Sequence, residues 1–180
     1  LYKSLSAADG THTTSVNGPE IKVHLGLVDM NYIKMFSLST GTTFVSIVSG
    51  IIDDTFDLAV DEISSETALQ CSADTDDATA PELLNFKLDL TNNILTLTFS
   101  EIVDMTTFDP KQLTFVNELD SSASPHLWNI QGGTPVITNA VGGMQMIFDV
   151  QLTIFDQNNL KRNTELAITE DNTYLWWTDT

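Results

Sequence analysis

The chain has 180 residues, enough for one large domain or two small ones. It carries 25 acidic and 7 basic residues, for a formal net charge of -18. We therefore expect neither a nucleic-acid partner nor an anionic membrane surface, because both would repel so acidic a chain. The sequence contains no run of 18 apolar residues, so it predicts no segment that spans a membrane. The only cysteine, Cys71, leaves no partner for a disulfide within the chain.

The first strand signal lies near the N-terminus. Apolar and polar side chains alternate over residues 21–25, so that Ile21, Val23 and Leu25 share one face. A period of two predicts a strand with one face in a core and the other in water.

Helical signal is scarce and is confined to two short segments, residues 29–36 and 156–163. Each opens with an aspartate, Asp29 or Asp156, and aspartate is a good N-cap residue. We predict one or two helical turns in each segment.

A domain junction is predicted at residues 71–81, which are polar and acidic and end at Pro81. We interpret this segment as a linker between two domains. Residues 82–180 then form the second copy of a repeat, and residues 1–70 form the C-terminal part of the first copy.

The second half has stronger strand signals. Residues 84–90 and 95–99 alternate strictly, and the turn between them, Thr91-Asn92-Asn93, is rich in residues that tolerate left-handed backbone. Many short strands with frequent turns predict an all-β fold, an antiparallel β-sandwich with short helical turns. Further strand candidates are residues 112–116, 127–130, 134–138, 144–152 and 173–178.

A faint internal repeat relates the two halves. Residues 23–34 recur as residues 150–161, which aligns Asp29 with Asp156. Self-similarity on this scale predicts tandem domains. The first copy lacks the strands equivalent to residues 84–116, so we expect them to come from sequence upstream or from a neighbouring subunit.

Four segments carry a resemblance to a known family: residues 77–81, 86–90, 95–104 and 108–115. In this order they resemble the bacterial-type Ig-like domains of surface-layer and adhesin proteins. The resemblance covers most of residues 77–180 and, at half-domain strength, residues 1–60. It implies tandem Ig-like domains in a large extracellular or cell-surface protein, where such domains are mostly spacers, stalks and fibre or coat subunits. Fold analogy implies architecture rather than activity.

The acidic linker offers a candidate cation site. Asp74, Asp76 and Asp77 lie in the linker, and Glu82 follows Pro81. Ca²⁺ takes six to eight oxygen ligands from flexible loops, so these carboxylates could bind Ca²⁺ and stiffen an array. The alternative interpretation is a solvated linker, and no EF-hand pattern is present.

Aromatic residues near the C-terminus form a candidate interface: Tyr174, Trp176 and Trp177. Adjacent residues on a strand face opposite sides, so we expect one tryptophan in the core and the other exposed. An exposed tryptophan could stack on a sugar or pack against the next domain.

No set of residues predicts catalysis. His12, His24 and His126 are scattered without metal-ligand spacing, and Cys71 lies among acidic residues that disfavour a thiolate. We therefore expect no enzyme and no cofactor other than a possible Ca²⁺ ion. The sequence favours a structural repeat that packs against copies of itself or neighbouring repeats. The alternatives are a Ca²⁺-dependent adhesin or glycan-binding module, and an accessory domain of a secreted enzyme.

Overall fold

The computed structural model describes residues 2–36, 40–119, 126–136 and 144–177. The chain divides into two compact units, Leu1–Thr79 and Ala80–Thr180. Strands account for 33% of the residues and helices for 18%, and the named strands pair antiparallel throughout the described residues. The expected β-rich class is confirmed at this level. None of the described helices is long and apolar enough to cross a membrane.

The first unit has only short elements. Strand β1 pairs with β2, and β3 pairs with β4. The bounds are His12–Thr13 for β1, Val23–His24 for β2, Leu27–Lys34 for helix α1, Phe44–Val45 for β3 and Leu69–Gln70 for β4.

The strand predicted at residues 21–25 is shorter than expected, and its apolar face is not buried. Ile21, Val23 and Leu25 are 43%, 53% and 40% exposed. Their strand pairs only with the two residues of β1 in the part of the chain that the structure describes. A two-residue ribbon is too small to form a layer over a core.

The second unit contains two larger sheets, with strand orders β5-β6-β10-β9 and β11-β7-β8. The bounds are Leu83–Asp89 for β5, Ile94–Asp104 for β6, Leu113–Val116 for β7, Leu127–Asn129 for β8, Gly133–Val136 for β9, Met144–Leu152 for β10, Ile154–Arg162 for helix α2 and Tyr174–Trp177 for β11. Each strand predicted in this half has a counterpart here, although residues 137–138 and 178 lie outside the described residues.

The turn between β5 and β6 lies where the sequence predicts it and contains a residue with left-handed backbone. Asn93 adopts left-handed backbone with φ 62. The Asp89 carboxylate accepts hydrogen bonds from the backbone amides of Thr91 and Asn92 at 2.8 and 3.0 Å. A hydrogen bond from the Asn92 side-chain amide, at 2.7 Å, is the largest cause that lowers the pKa of Asp89, and the two backbone bonds lower it further. The turn thereby sets the register of the hairpin.

Both sheets of the second unit contribute to one hydrophobic core. Leu97 and Phe148 come from the four-stranded sheet, and Phe115 comes from the three-stranded sheet. Phe115 has no exposed surface, and its ring meets Phe86 edge to face at 6.0 Å between centroids. Alternation along β6 and β7 places these side chains inward, as the period of two predicts.

The two helices begin before the aspartates that were expected to cap them. The N-cap of α1 is Gly26 and that of α2 is Thr153, so Asp29 and Asp156 each stand at the third helical position. The predicted N-cap role is wrong, because both carboxylates are wholly buried and reach other partners. A carboxylate in the first turn still complements the helix dipole.

Candidate functional site

The buried carboxylate of Asp156 is the centre of a hydrogen-bond network in the second unit. Its Oδ1 accepts from the Trp128 indole Nε1 and the Gln131 backbone N, both at 2.9 Å. Its Oδ2 accepts from the Thr153 hydroxyl at 2.6 Å, and that hydroxyl accepts in turn from the Asp156 backbone N. Three donors from β8, the turn after it and the helix cap therefore converge on one carboxylate.

Asp29 occupies a similar position in the first unit. Its Oδ2 accepts from the Ser6 backbone N at 2.9 Å and from the Thr11 hydroxyl at 2.5 Å, and its Oδ1 lies 2.7 Å from the Lys3 ammonium. The hydrogen bond from Lys3 is the largest cause that lowers the pKa of Asp29 to about 2, followed by that from Thr11. The same contact raises the pKa of Lys3.

The two buried aspartates differ in which residue supplies the hydroxyl. In the second unit it is the N-cap Thr153, whereas in the first unit Thr11 reaches in from another segment and accepts from the N-cap amide of Gly26 at 2.8 Å. The backbone just before Thr11 also passes close to Gly26, where a Cβ atom would lie 1.8 Å from the Asp9 carbonyl oxygen, so only glycine fits there. Each oxygen of both carboxylates has a donor or a cation beside it, so the arrangement holds the start of the helix in place rather than activating a reactant.

The structure does not gather the acidic residues predicted to bind Ca²⁺. Asp77 forms an ion pair with Lys34 at 2.7 Å, while Asp74, Asp76 and Glu82 are exposed. Within the described ranges, no three His, Cys, Asp or Glu side chains form a group that could hold a metal ion. The solvated-linker alternative fits this placement, and Ca²⁺ binding stays a prediction.

The C-terminal aromatic residues lie on edge strand β11. Tyr174 and Trp176 are partly buried, and Trp177 is 53% exposed. Trp177 borders a groove of about 460 Å³ whose other walls include Phe108 and Asp109. We refer to it as the tryptophan groove. Its size is within the range of small-ligand sites, and the interface role of the three aromatic residues stays a prediction.

A second groove of about 770 Å³ follows strand β5, which lies at the edge of its sheet. Leu84, Phe86 and Leu88 line one side, and Ile168 lines the other. Leu84 is 61% exposed and Ile168 is 56% exposed. This open edge presents both backbone hydrogen-bonding groups and apolar side chains to an incoming segment.

Residues 43–71 form an irregular β-hairpin in the first unit, here named the apolar arm. Backbone hydrogen bonds join its two sides at Ile47 and Ile63, at 3.1 and 3.0 Å, and at its base from the Cys71 amide to the Thr43 carbonyl at 2.9 Å. At its tip Asp57 adopts left-handed backbone with φ 60. The sequence patterns did not predict this hairpin.

The apolar arm is hydrophobic but uncovered. No residue between 43 and 71 is buried, and all of them are described. Eight large apolar side chains on it are exposed, from 44% at Ile52 to 81% at Phe56. The arm also carries six acidic residues and no basic one. The exposed apolar residues are Phe44, Val45, Val48, Ile51, Ile52, Phe56, Leu58 and Leu69.

The chain matches no protein-family profile, no curated protein and no solved structure. The resemblance to Ig-like surface-layer and adhesin domains therefore stays a prediction from the sequence. The features that can carry a functional argument are those of the chain itself: the apolar arm, the open β5 edge and the tryptophan groove.

Proposed function

We propose that the chain is a structural repeat that assembles with copies of itself or with neighbouring repeats, in an extracellular fibre, stalk or surface coat. The observation that carries this proposal is the apolar arm. A two-stranded hairpin by itself is marginally stable in water. Exposed apolar residues concentrated on one element are typical of a surface that another protein covers.

The architecture of the second unit supports the proposal. Two antiparallel sheets that share one core are the basic arrangement of a β-sandwich, the fold we propose for this unit. The similar burial of Asp29 and Asp156 at the start of α1 and α2 supports the view that the units are related copies. Tandem related units suit a protein that spans distance or forms a coat.

The free energy of apolar burial predicts low affinity for a single contact and high affinity for many contacts in an array. Burying one large apolar side chain stabilises a complex by about 1.5–3 kcal/mol, so covering four residues of the arm contributes on the order of 10 kcal/mol. Association itself costs about 4–15 kcal/mol in lost freedom. A single contact is then of modest affinity, and repeated contacts along a tandem array raise the effective concentration.

Charge gives this assembly a distinctive salt dependence. Each copy carries a net charge of -18, so two copies repel each other at low ionic strength. The Debye length falls from about 10 Å at 0.1 M salt to about 3 Å at 1 M. We expect self-association to strengthen as salt is added, because screening removes the repulsion while apolar burial remains.

The proposal is tested by sedimentation velocity of the chain across a concentration and salt series. The double variant Phe56→Ser, Leu58→Ser removes two apolar side chains from the tip of the arm. Ile147→Ser is the matched control, because Ile147 is 55% exposed but lies on β10 of the second unit. We expect concentration-dependent association of the unmodified chain and of the control, and a monomer for the arm variant.

Two outcomes would contradict the proposal. One is a monomer at all concentrations and salt levels. The other is equal association of the arm variant and the unmodified chain, which would exclude the arm as the contact.

A glycan-binding module is the second candidate function, and the tryptophan groove favours it. An exposed indole can stack on the apolar face of a sugar ring, and Asp109 and Gln112 beside it supply polar groups. Titration with a glycan panel, with and without Ca²⁺, should quench the fluorescence of the chain but not of Trp177→Ala. Unchanged fluorescence across the panel would remove this candidate.

A further inference from the structure

Pairing of β1 with β2 brings two of the three histidines of the chain together. His12 and His24 are direct cross-strand partners. Their rings stack with centroids 5.3 Å apart and 20° between the ring planes. Both side chains are exposed, so a ligand can reach them from solvent.

Hydrogen bonding fixes the tautomer of His12. Its Nδ1 lies 2.8 Å from the Gly10 carbonyl oxygen. A carbonyl oxygen only accepts, so Nδ1 carries the hydrogen and Nε2 of the neutral ring has the free lone pair. A histidine whose other nitrogen donates to a backbone carbonyl is the usual arrangement around a bound metal, because that bond orients the ring and raises its basicity.

The neighbours of His24 leave it equally able to act as a ligand. Its Nε2 lies 3.1 Å from the Thr14 hydroxyl, which can donate or accept. When Nε2 donates to this hydroxyl, the lone pair lies on Nδ1. In that tautomer of His24, each ring has one nitrogen with a hydrogen-bond partner and one with an available lone pair.

We propose that His12 and His24 together bind one divalent transition-metal ion of the imidazole-preferring kind, such as Zn²⁺ or Cu²⁺. Imidazole nitrogen binds Zn²⁺ at about 2.0–2.1 Å, so the two ligating atoms must approach to about 3–4 Å. Directly opposed Cβ atoms stand about 4.5–5.5 Å apart. To bind one ion, the two exposed rings must rotate out of their stack so that their lone pairs converge, and the metal–nitrogen bonds replace the present ring orientation. Water completes the coordination sphere.

The chemistry of the pair selects against Ca²⁺, which requires oxygen ligands. The strongly negative net charge raises the local concentration of any divalent cation without distinguishing between them. Selectivity therefore comes from the two imidazoles, which favour Cu²⁺ and Zn²⁺ among the divalent ions.

Metal binding at this site would stabilise the folded first unit. His12 follows Thr11, whose hydroxyl donates to the buried Asp29 carboxylate. An ion that bridges β1 and β2 closes the ribbon beside this hydrogen bond. An ion that binds only the folded chain stabilises it by mass action. This inference is independent of the proposed self-assembly.

The test is isothermal titration calorimetry of the full chain with zinc chloride near neutral pH. The variants are His12→Asn and His24→Asn, with His126→Asn as the matched control, because His126 is the third histidine and pairs with Glu165 at 2.8 Å. Cys71→Ser excludes a contribution from the thiol. Thermal unfolding of each protein with and without Zn²⁺ provides the second measurement.

We expect one Zn²⁺ per chain for the unmodified protein, for His126→Asn and for Cys71→Ser. Affinity should fall by at least about tenfold in either ribbon variant, the lower end of what loss of even an outer-shell partner costs. Zn²⁺ should raise the unfolding temperature only where both ribbon histidines are present. Unchanged binding in both ribbon variants, or a loss caused by either control variant, would overturn the assignment. A heat signal with Ca²⁺ that matches that with Zn²⁺ would also overturn it.

Discussion

Replacement of Asp156 tests whether the buried carboxylate holds the second unit together. In Asp156→Ala the donors of Trp128, Gln131 and Thr153 lose their acceptor. A hydrogen bond to a charged group contributes about 1.5–3 kcal/mol, so three at the lower end predict a loss of about 4–5 kcal/mol. That is a large part of the ~5–15 kcal/mol that stabilises a typical domain.

Asp156→Asn should cost far less, about 1–2 kcal/mol, because the geometry can be kept without the charge. Trp128 and Gln131 both donate to Oδ1, which the amide oxygen can replace. The amide nitrogen would then face the Thr153 hydroxyl, which has lone pairs to accept from it. Asp149→Ala is the matched control, since the Asp149 carboxylate accepts one side-chain hydrogen bond, from Thr96 at 2.6 Å.

Urea unfolding followed by tryptophan fluorescence measures these differences. All three tryptophans of the chain lie in the second unit, so the signal reports that unit alone. With a slope of about 2 kcal/mol per molar urea, Asp156→Ala should lower the midpoint by about 2 M and Asp149→Ala by well under 1 M. Equal losses for Asp156→Ala and Asp156→Asn would refute the argument from hydrogen-bond geometry.

Three further predictions concern the first unit and the core. Because the pKa of Asp29 is lowered to about 2 from an ordinary 3.8, its contribution to stability is present above pH 3.8 and is lost as the pH falls toward 2. Lys3→Met should raise the pKa of Asp29 in an NMR titration, and an unchanged pKa would exclude the ion pair as a cause. Gly26→Ala should destabilise the first unit by about 1–3 kcal/mol or more, seen as faster amide exchange in α1, whereas Gly41→Ala, with nothing within 4 Å of its Cβ, should be silent. Phe115→Ala should cost about 3–5 kcal/mol in the urea assay, and a loss under 1 kcal/mol would place this ring outside the core.

Sequence patterns predicted the positions of the strands and turns in the second unit, because residues close in sequence specify these elements. Alternation over residues 95–99 marks the first half of β6, and the Asn92-Asn93 pair marks the turn before it. Left-handed backbone at Asn93 is a property of that residue type, so no long-range contact was needed to predict it.

Burial of the two aspartates could not be predicted from polarity, which favours exposure for Asp. What places Asp29 and Asp156 inside is a set of donors from segments distant in sequence, such as Ser6 and Gln131. The alignment of the two aspartates in the internal repeat was the one sequence signal, and it does not distinguish a cap from a buried acceptor. The same limit applies to His12 and His24, which only strand pairing brings together.

The apolar arm shows a different limit of sequence reasoning. Residues such as Val48, Ile51 and Phe56 count toward the hydrophobic content that predicts a core, yet all three side chains are exposed. Hydrophobic pattern specifies which side chains favour burial, but it does not specify the surface that buries them. If the arm is exposed only until a second copy covers it, the apolar residues that are exposed in one chain form the interface between two. Loss of association in the Phe56→Ser, Leu58→Ser variant, with retention in the Ile147→Ser control, distinguishes this from a hairpin that tolerates exposure.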